Sequence, residues 1–115
     1  MTPDQVRGRL ANRERGEATL LVAGEPHVLR PSFTALVAAE DELGPLFALV
    51  ERASAGQLRL GELAALFWHC LAAHEAPTGD RPSRETVAEA VVAGGLAAAA
   101  VPLRALLVQI LQGRQ

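Results

Sequence analysis

The chain is poor in several residue types, and each scarcity limits what the protein can be. It has no lysine and no tyrosine, one tryptophan, three phenylalanines and one cysteine among 115 residues. A single cysteine, Cys70, excludes an intramolecular disulfide and is typical of the reducing cytoplasm, where we expect the protein to act. With so few aromatic residues, we expect a core of leucine, valine and alanine in which helices approach one another closely.

The chain also lacks a strong charge of either sign. Its formal charge is −2, and all eleven basic residues are arginine. A nucleic-acid partner is not expected, because phosphate binding needs a concentrated positive surface. The N-terminus lacks the basic-then-apolar form of a secretory signal. The longest uncharged apolar run, Ala90–Leu103, is shorter than the ~18–20 residues of a membrane span, so we interpret it as buried helix packing and expect no membrane partner.

Residues able to hold a metal ion or perform catalysis are few and poorly placed. Cys70 and His74 are four residues apart and could face one ion from a single helix turn, with His69 beside them. Zinc, however, needs three or four protein ligands, and the remaining histidine, His27, lies far away in the chain. The pattern suggests neither an oxyanion hole nor a phosphate-binding loop. We therefore expect no enzymatic activity, no metal and no cofactor.

Composition and length set the domain organisation. Residues 1–16 carry four arginines and almost no apolar side chains, which predicts a mobile N-terminal arm; a basic segment that docks on an acidic partner is the alternative. Residues 17–115 are enough for one hydrophobic core but not for two, so we expect a single domain.

A β-hairpin is the first predicted element of that domain. Ala18–Val22 and His27–Arg30 are strand-like, and they flank a turn from Ala23 to Pro26 in which glycine supplies a positive φ and proline fixes its own. Two strands alone are marginally stable in water. We therefore expect the hairpin to pack on helices, with its free edge as a further contact for another chain.

Helix caps and breakers divide the remainder into five helices. Serines precede two of them, at Ser32 and Ser83, where the hydroxyl can accept a hydrogen bond from the first turn. Glycine and proline end the others, and Pro102 is predicted to kink or restart the last one. The predicted helices cover residues 32–43, 45–54, 61–75, 83–94 and 96–112.

Apolar spacing predicts which side of each helix faces the core. The third helix is apolar nearly all round, which predicts a central position. The predicted fold class is α+β, mostly α, with an N-terminal β-hairpin packed on a bundle of four to five helices. On the other helices, the predicted inward-facing residues are Phe33, Leu36, Val37 and Leu43; Leu46, Phe47 and Val50; Val87, Ala90, Val91 and Gly94; and Leu103, Leu106, Leu107, Ile110 and Leu111.

Glu40 is an acidic residue on an otherwise apolar stripe, seven residues after Phe33. A carboxylate at such a position is costly unless it pairs or reaches water. Two interpretations stay open: solvation at the edge of the stripe, or pairing with an arginine of the same chain or of a partner.

Two motifs and the order of the elements resemble a known family. N-R-x-R-G-E at Asn12–Glu17 precedes the hairpin, F-x-A-L-x-x-x-E-x-x-L-G covers Phe33–Gly44, and an Ala/Gly/Leu-rich helical remainder follows. In this order they resemble the small tail proteins of gene transfer agents and related long-tailed phages, over roughly Asn12 to Leu111. That family is usually described as a tail assembly chaperone and sometimes as a tail tube protein.

The resemblance implies a non-enzymatic chaperone that binds the tape-measure protein, and the tail tube protein as a further partner, while a tail is built in the bacterial host cell. The alternative is a structural tail component that stays in the finished particle; it ranks second because tube subunits use long β-strands. A small DNA-binding regulator ranks lower, because the third helix carries no side chains suited to base edges. Self-association stays open. The expected partner-binding residues are Trp68, Glu40, Leu103, Leu107 and Leu111.

Overall fold

The computed structural model describes residues 18–71 and 82–113. The predicted N-terminal arm, His74 and the predicted loop before Pro82 lie outside this part of the chain. The described residues form a β-hairpin followed by five helices, which confirms the predicted fold class. The elements are β1 (Ala18–Val22), β2 (Glu25–Leu29), α1 (Phe33–Leu43), α2 (Leu46–Ser54), α3 (Leu60–Cys70), α4 (Arg84–Gly94) and α5 (Leu96–Gln112).

The hairpin turn is tighter than the sequence predicted. Ala23 and Gly24, with φ of 53° and 81°, form a two-residue turn, so Glu25 and Pro26 belong to β2. Pro26 lies opposite Leu21, next to the pair that closes the turn. Hydrogen-bonded and non-bonded pairs alternate along an antiparallel ladder, so Pro26 occupies a non-bonded position and its missing N–H costs no ladder bond.

The chain returns to the hairpin at the end of α3. Leu71 forms an isolated antiparallel bridge with Leu29, and the Arg30 N–H donates to the Cys70 carbonyl at 2.7 Å. These contacts cover the β2 side of the hairpin. The β1 strand packs against α4 and α5, as expected for a hairpin too small to be stable alone.

The core is centred on α3, as predicted. Leu66 and Phe67 are fully buried, and α3 packs against both α1 and α4. The buried residues of α1 are Ala35 and Ala39, whose small side chains allow its backbone to come close to α3. The interior is therefore built largely from leucine, valine and alanine, with Phe67 as its largest fully buried side chain.

The predicted inward stripes of α1 and α2 are wrong at three positions. Phe33 and Phe47 are 85% and 82% exposed, and Val37 is also exposed. In α1 the core face is the alanine face, and residues two positions away from Ala35 lie about 200° round the helix, on the solvent side. In α2 the buried residues are Leu49, Val50 and Ala53, a face that excludes Phe47.

The core face of α5 is also turned relative to the prediction. Its buried residues are Ala99, Pro102, Leu106, Leu107 and Gln109, while Leu111 is 59% exposed. The predicted stripe did not include Gln109, yet Gln109 continues the row of Pro102 and Leu106 at three- and four-residue steps. Pro102 does not restart the helix, because Leu96–Gln112 is one continuous element.

The predicted helix boundaries are confirmed where capping residues set them, but the predicted end of α3 at residue 75 is wrong: α3 ends at Cys70, because Leu71 is extended and pairs with Leu29. The Oγ atoms of Ser32 and Ser83 accept hydrogen bonds from the N–H groups of Ala35 and Thr86, each at 3.1 Å. Gly56, with φ of 73°, ends α2.

Gly95 separates α4 from α5, and the apolar run from Ala90 to Leu103 crosses this corner. Val91 and Ala99 are buried in the run, but Val92, Leu96 and Val101 are exposed, so the prediction of buried packing holds for only part of it. Within the described residues no single helix is long and apolar enough to cross a membrane. Only α4 and α5 taken together have the necessary length and apolar composition, and their axes differ by 117°.

Candidate partner-binding site

Trp68 is half-buried, and polar and ring contacts hold it within the fold. Its Nε1–H donates to the Pro82 carbonyl at 2.9 Å, and the Arg84 guanidinium carbon lies 4.5 Å from the centre of its ring. A cation over an aromatic face is attracted by the ring quadrupole. Trp68 therefore joins α3 to the start of α4. Its predicted partner-binding role stays a prediction, and any test of it must also measure the fold.

An ion-pair cluster beside Trp68 links three helices. Glu42 of α1 accepts hydrogen bonds from Arg84 Nη1 of α4 at 2.6 Å, and its other oxygen lies 2.8 Å from Nε2 of His69 of α3. The pKa of Glu42 is lowered below its ordinary value, chiefly by the hydrogen bond from Arg84 and secondly by the one from His69. These residues thus have a structural role that sequence analysis missed, because partners 27 and 42 positions apart leave no local pattern.

A second ion pair joins α2 to the start of α3. Arg52 Nη1 contacts both carboxylate oxygens of Glu62 at 2.8 Å, and Glu62 also accepts a hydrogen bond from the backbone N–H of Arg59 at 3.0 Å. The pKa of Glu62 is lowered, chiefly by the backbone hydrogen bond from Arg59 and secondly by the side-chain hydrogen bond from Arg52. The carboxylate therefore satisfies an otherwise unpaired N–H where α3 begins.

Glu40 is exposed and has a local partner. Its Oε2 accepts a hydrogen bond from the backbone N–H of Leu46 at 2.8 Å, at the first residue of α2. The predicted solvated position is correct, and the partner is a backbone N–H instead of an arginine. The carboxylate lies at the positive end of α2 and so stabilises the start of that helix. Its predicted contact with a partner protein stays a prediction.

The three predicted leucines of α5 differ in accessibility. Leu107 is buried against Val50 and Ala53, Leu103 is half-buried, and Leu111 is exposed. Only Leu111 among them presents most of its side chain to a partner without rearrangement.

Leu111 belongs to an apolar surface shared by two helices. A cavity of about 140 Å³ is lined by residues of α2 and the end of α5. Phe47 and Leu111 lie at this cavity and are exposed. We call this set the α2–α5 surface; it consists of Leu46, Phe47, Val50, Ile110 and Leu111. A surface of this kind offers both an exposed aromatic anchor and space for a partner's apolar side chain.

A larger apolar groove lies on the other side of α5. It encloses about 260 Å³ between β1 and the α4–α5 corner, and none of the described residues that line it is charged. Leu21 and Val101, each 64% exposed, lie along it. Neither residue was predicted to be exposed: Val101 lies in the apolar run that was interpreted as buried packing, and no outward face was assigned to the strand that contains Leu21. Alternation along β1 was the available signal, since Leu20 and Val22 flank Leu21 and are buried.

The reactive side chains do not assemble into a site within the described ranges. No group of three or more His, Cys, Asp or Glu residues there could hold a metal ion. Cys70 is buried, and desolvation raises the pKa of its thiol to about 12, so the thiolate that would act as a nucleophile is strongly disfavoured.

Fold and surface together define a small, mostly helical α+β domain that carries large apolar side chains on its exterior. Residues 15–113 match the family described as "Phage tail tube protein, GTA-gp10". The match covers most of the chain, and the protein belongs to this family of phage-type tail proteins. No curated protein and no solved structure matches the chain. The gene-transfer-agent type of tail protein indicated by the sequence is thus supported, while the family description names a tube protein and not a chaperone.

Proposed function

We propose that this protein is a tail assembly chaperone, a non-enzymatic protein that binds the tape-measure protein, and the tail tube protein as a further partner, in the host cytoplasm before the tube closes. The observation that carries the proposal is the exposed α2–α5 surface on a member of a phage tail family. Growing tails contain long apolar helical segments that need cover until their permanent partners arrive, and an accessible apolar surface on a small, folded domain suits that task.

The α2–α5 surface can supply useful binding energy. Phe47 is 82% exposed, so a partner that covers it removes most of its apolar area from water. Burying a phenylalanine side chain contributes roughly 1.5–3 kcal/mol, and Leu111 adds a smaller amount. Contacts of this size support reversible binding, which a chaperone requires because it must later release its partner.

A structural tail component is the second candidate, and the family description favours it. The geometry favours it less. The described sheet has two strands of five residues, extended by one isolated bridge, whereas rings of tube subunits are expected to use longer strands. The structural candidate therefore depends on further strand pairing between copies.

Co-expression with the tape-measure protein from the same locus tests the proposal. We expect a soluble, stoichiometric complex on pull-down, with the tape-measure protein insoluble when expressed alone. Rings or tubes formed by this chain by itself, without a complex, would support the structural candidate instead. The mass of the complex gives its stoichiometry.

Two phenylalanines allow a matched comparison within that experiment. Phe47→Ala should weaken the complex about tenfold or more, because it removes the anchor of the α2–α5 surface. Phe33→Ala is the control, because Phe33 is equally exposed but is not among the residues that line this cavity. Equal losses for the two variants, with both folded, would remove the α2–α5 surface from the proposal. Trp68→Ala, with circular dichroism to verify the fold, tests the remaining predicted contact.

A further inference from the structure

The connection between α4 and α5 consists of one residue. Gly95 has φ of 91° and ψ of 145°, a backbone conformation that is essentially restricted to glycine, and it turns the chain through 117°. Gly94, immediately before it, is the last residue of α4 and does not have a positive φ. The sharp corner thus depends on one glycine.

Gly95 already makes both backbone hydrogen bonds that it would make inside one continuous helix. Its N–H donates to the Val91 carbonyl at 3.0 Å, and its carbonyl accepts from the Ala99 N–H at 3.1 Å. Both follow the four-residue spacing of an α-helix. Joining α4 to α5 would therefore keep these bonds and pair the N–H groups of residues 96–98 with the carbonyls of residues 92–94. Glycine has no side chain with which to cap α5 in the bent form.

The N-terminal half of α5 borders an apolar groove on two sides. The groove of about 260 Å³ separates it from β1, and a second cavity of about 210 Å³ lies between it and the segment that joins α2 to α3. Leu58 and Leu96 are among the residues that line the second cavity. In this half of the helix Leu96 and Val101 are exposed, whereas Ala99 and Pro102 are buried against the rest of the fold. The C-terminal half buries Leu106 and Leu107, which need an apolar site wherever α5 lies.

We propose that α5 exchanges between two copies of this chain. Gly95 straightens, α4 and α5 join into one helix over residues 84–112, and α5 occupies the place that α5 holds in the second copy. The second copy is the occupant because its own vacated site matches Leu106 and Leu107, and each contact that one copy loses is restored by the other. The exchange concerns self-association and holds for either candidate function.

Gly95→Ala tests the hinge, and Gly94→Ala is its matched control. A Cβ added at either position meets no atom within 4 Å, so the two changes differ only in backbone conformation. Alanine at residue 95 strains the bent form and therefore favours the continuous helix. We expect each hinge to shift this equilibrium about tenfold or more, so the dimerisation constant, which involves two hinges, should rise about 100-fold. Residue 94 is helical in both forms, so Gly94→Ala should leave the dimerisation constant unchanged within about twofold.

Light scattering after size-exclusion chromatography measures the monomer and dimer populations, and spin labels distinguish exchange from side-by-side association. Phe47→Cys and Leu111→Cys place labels on two exposed residues of one cavity, while native Cys70 is buried. Doubly labelled Gly95→Ala chains are mixed with an excess of unlabelled Gly95→Ala chains. The intrachain distance should be short in the monomer and long in the dimer.

Two results would overturn the proposal: a folded Gly95→Ala variant that stays monomeric, or a dimer that keeps the short intrachain distance. If Gly95→Ala does not fold, the wild-type chain decides. The doubly labelled chain that retains Gly95, mixed at high concentration with an excess of unlabelled wild-type chain, warmed through the unfolding transition and cooled, should contain a fraction of dimer with the long intrachain distance. Its absence after that treatment would equally contradict exchange.

Discussion

Gln109 is a buried polar residue on the core face of α5, and we expect its replacement by methionine to stabilise the protein. It is 5% exposed, and its Nε2 group finds no hydrogen-bond partner among the described residues. A buried donor without an acceptor loses its hydration and gains nothing in return. Methionine has a similar length and flexibility, so Gln109→Met removes the donor without opening a cavity.

The magnitude follows from the cost of an unsatisfied group. Leaving one buried amide donor unpaired costs about 1–3 kcal/mol, and any hydrogen bond made by the amide oxygen offsets up to about 1 kcal/mol of the gain. We therefore expect the free energy of unfolding to rise by about 1–2 kcal/mol. For a domain of this size, a change of about 1 kcal/mol shifts Tm by roughly 4 °C or more.

Urea denaturation and thermal unfolding, both followed by circular dichroism, measure the effect. Gln112→Met is the matched control, because Gln112 lies in the same helix and is exposed; its stability should stay within about 0.5 kcal/mol of the wild type. A Gln109→Met variant that is less stable than the wild type would refute the reasoning, because the amide would then have to contribute more than it costs.

Three further predictions concern ionisation, thiol reactivity and helix capping. The lowered pKa of Glu42 stabilises the fold above the ordinary pKa of 4.5, and that contribution is lost as the pH falls through the folded-state pKa. The stability gap between wild type and Glu42→Gln in urea titrations should thus be present at pH 7 and shrink as the pH is lowered below 4.5, and a constant gap would contradict it. Cys70 should react with a thiol reagent at pH 8 only as the protein unfolds, and fast labelling of the native protein would show that the thiol is accessible. Ser83→Ala should cost about 1 kcal/mol of stability, whereas Ser54→Ala, an exposed change at the end of α2, should cost less than half of that; equal losses would argue against the cap.

Local chemistry explains which parts of the fold could be predicted. Ser32 and Ser83 cap helices, Gly24 permits the turn, and Gly56 and Gly95 end helices, because each acts on backbone groups a few residues away. The apolar character of α3 likewise indicated its central position. Element order and fold class therefore followed from the sequence.

The orientation of the other helices did not follow, because several faces of each were apolar enough to be buried. In α1 the choice between the phenylalanine face and the alanine face depended on how closely its backbone approaches α3. That approach selected Ala35 and Ala39 and left Phe33 outside. On α2 and α5, too, the packing between helices decided which face is buried, so that Phe47 is exposed and Gln109 is buried.

The hairpin, the order of the helices, the boundaries set by serine and glycine caps, and the resemblance to tail proteins could all be predicted from the sequence, since capping, turn geometry and apolar periodicity act over a few residues. The end of α3 could not, because the pairing of Leu71 with Leu29 sets it. The tertiary structure alone decided which apolar residues stay in water, which residues pair across the fold, and that Glu42, His69 and Arg84 meet. The physical reason is that burial and long-range pairing depend on the distances between packed helices, which a local pattern does not specify.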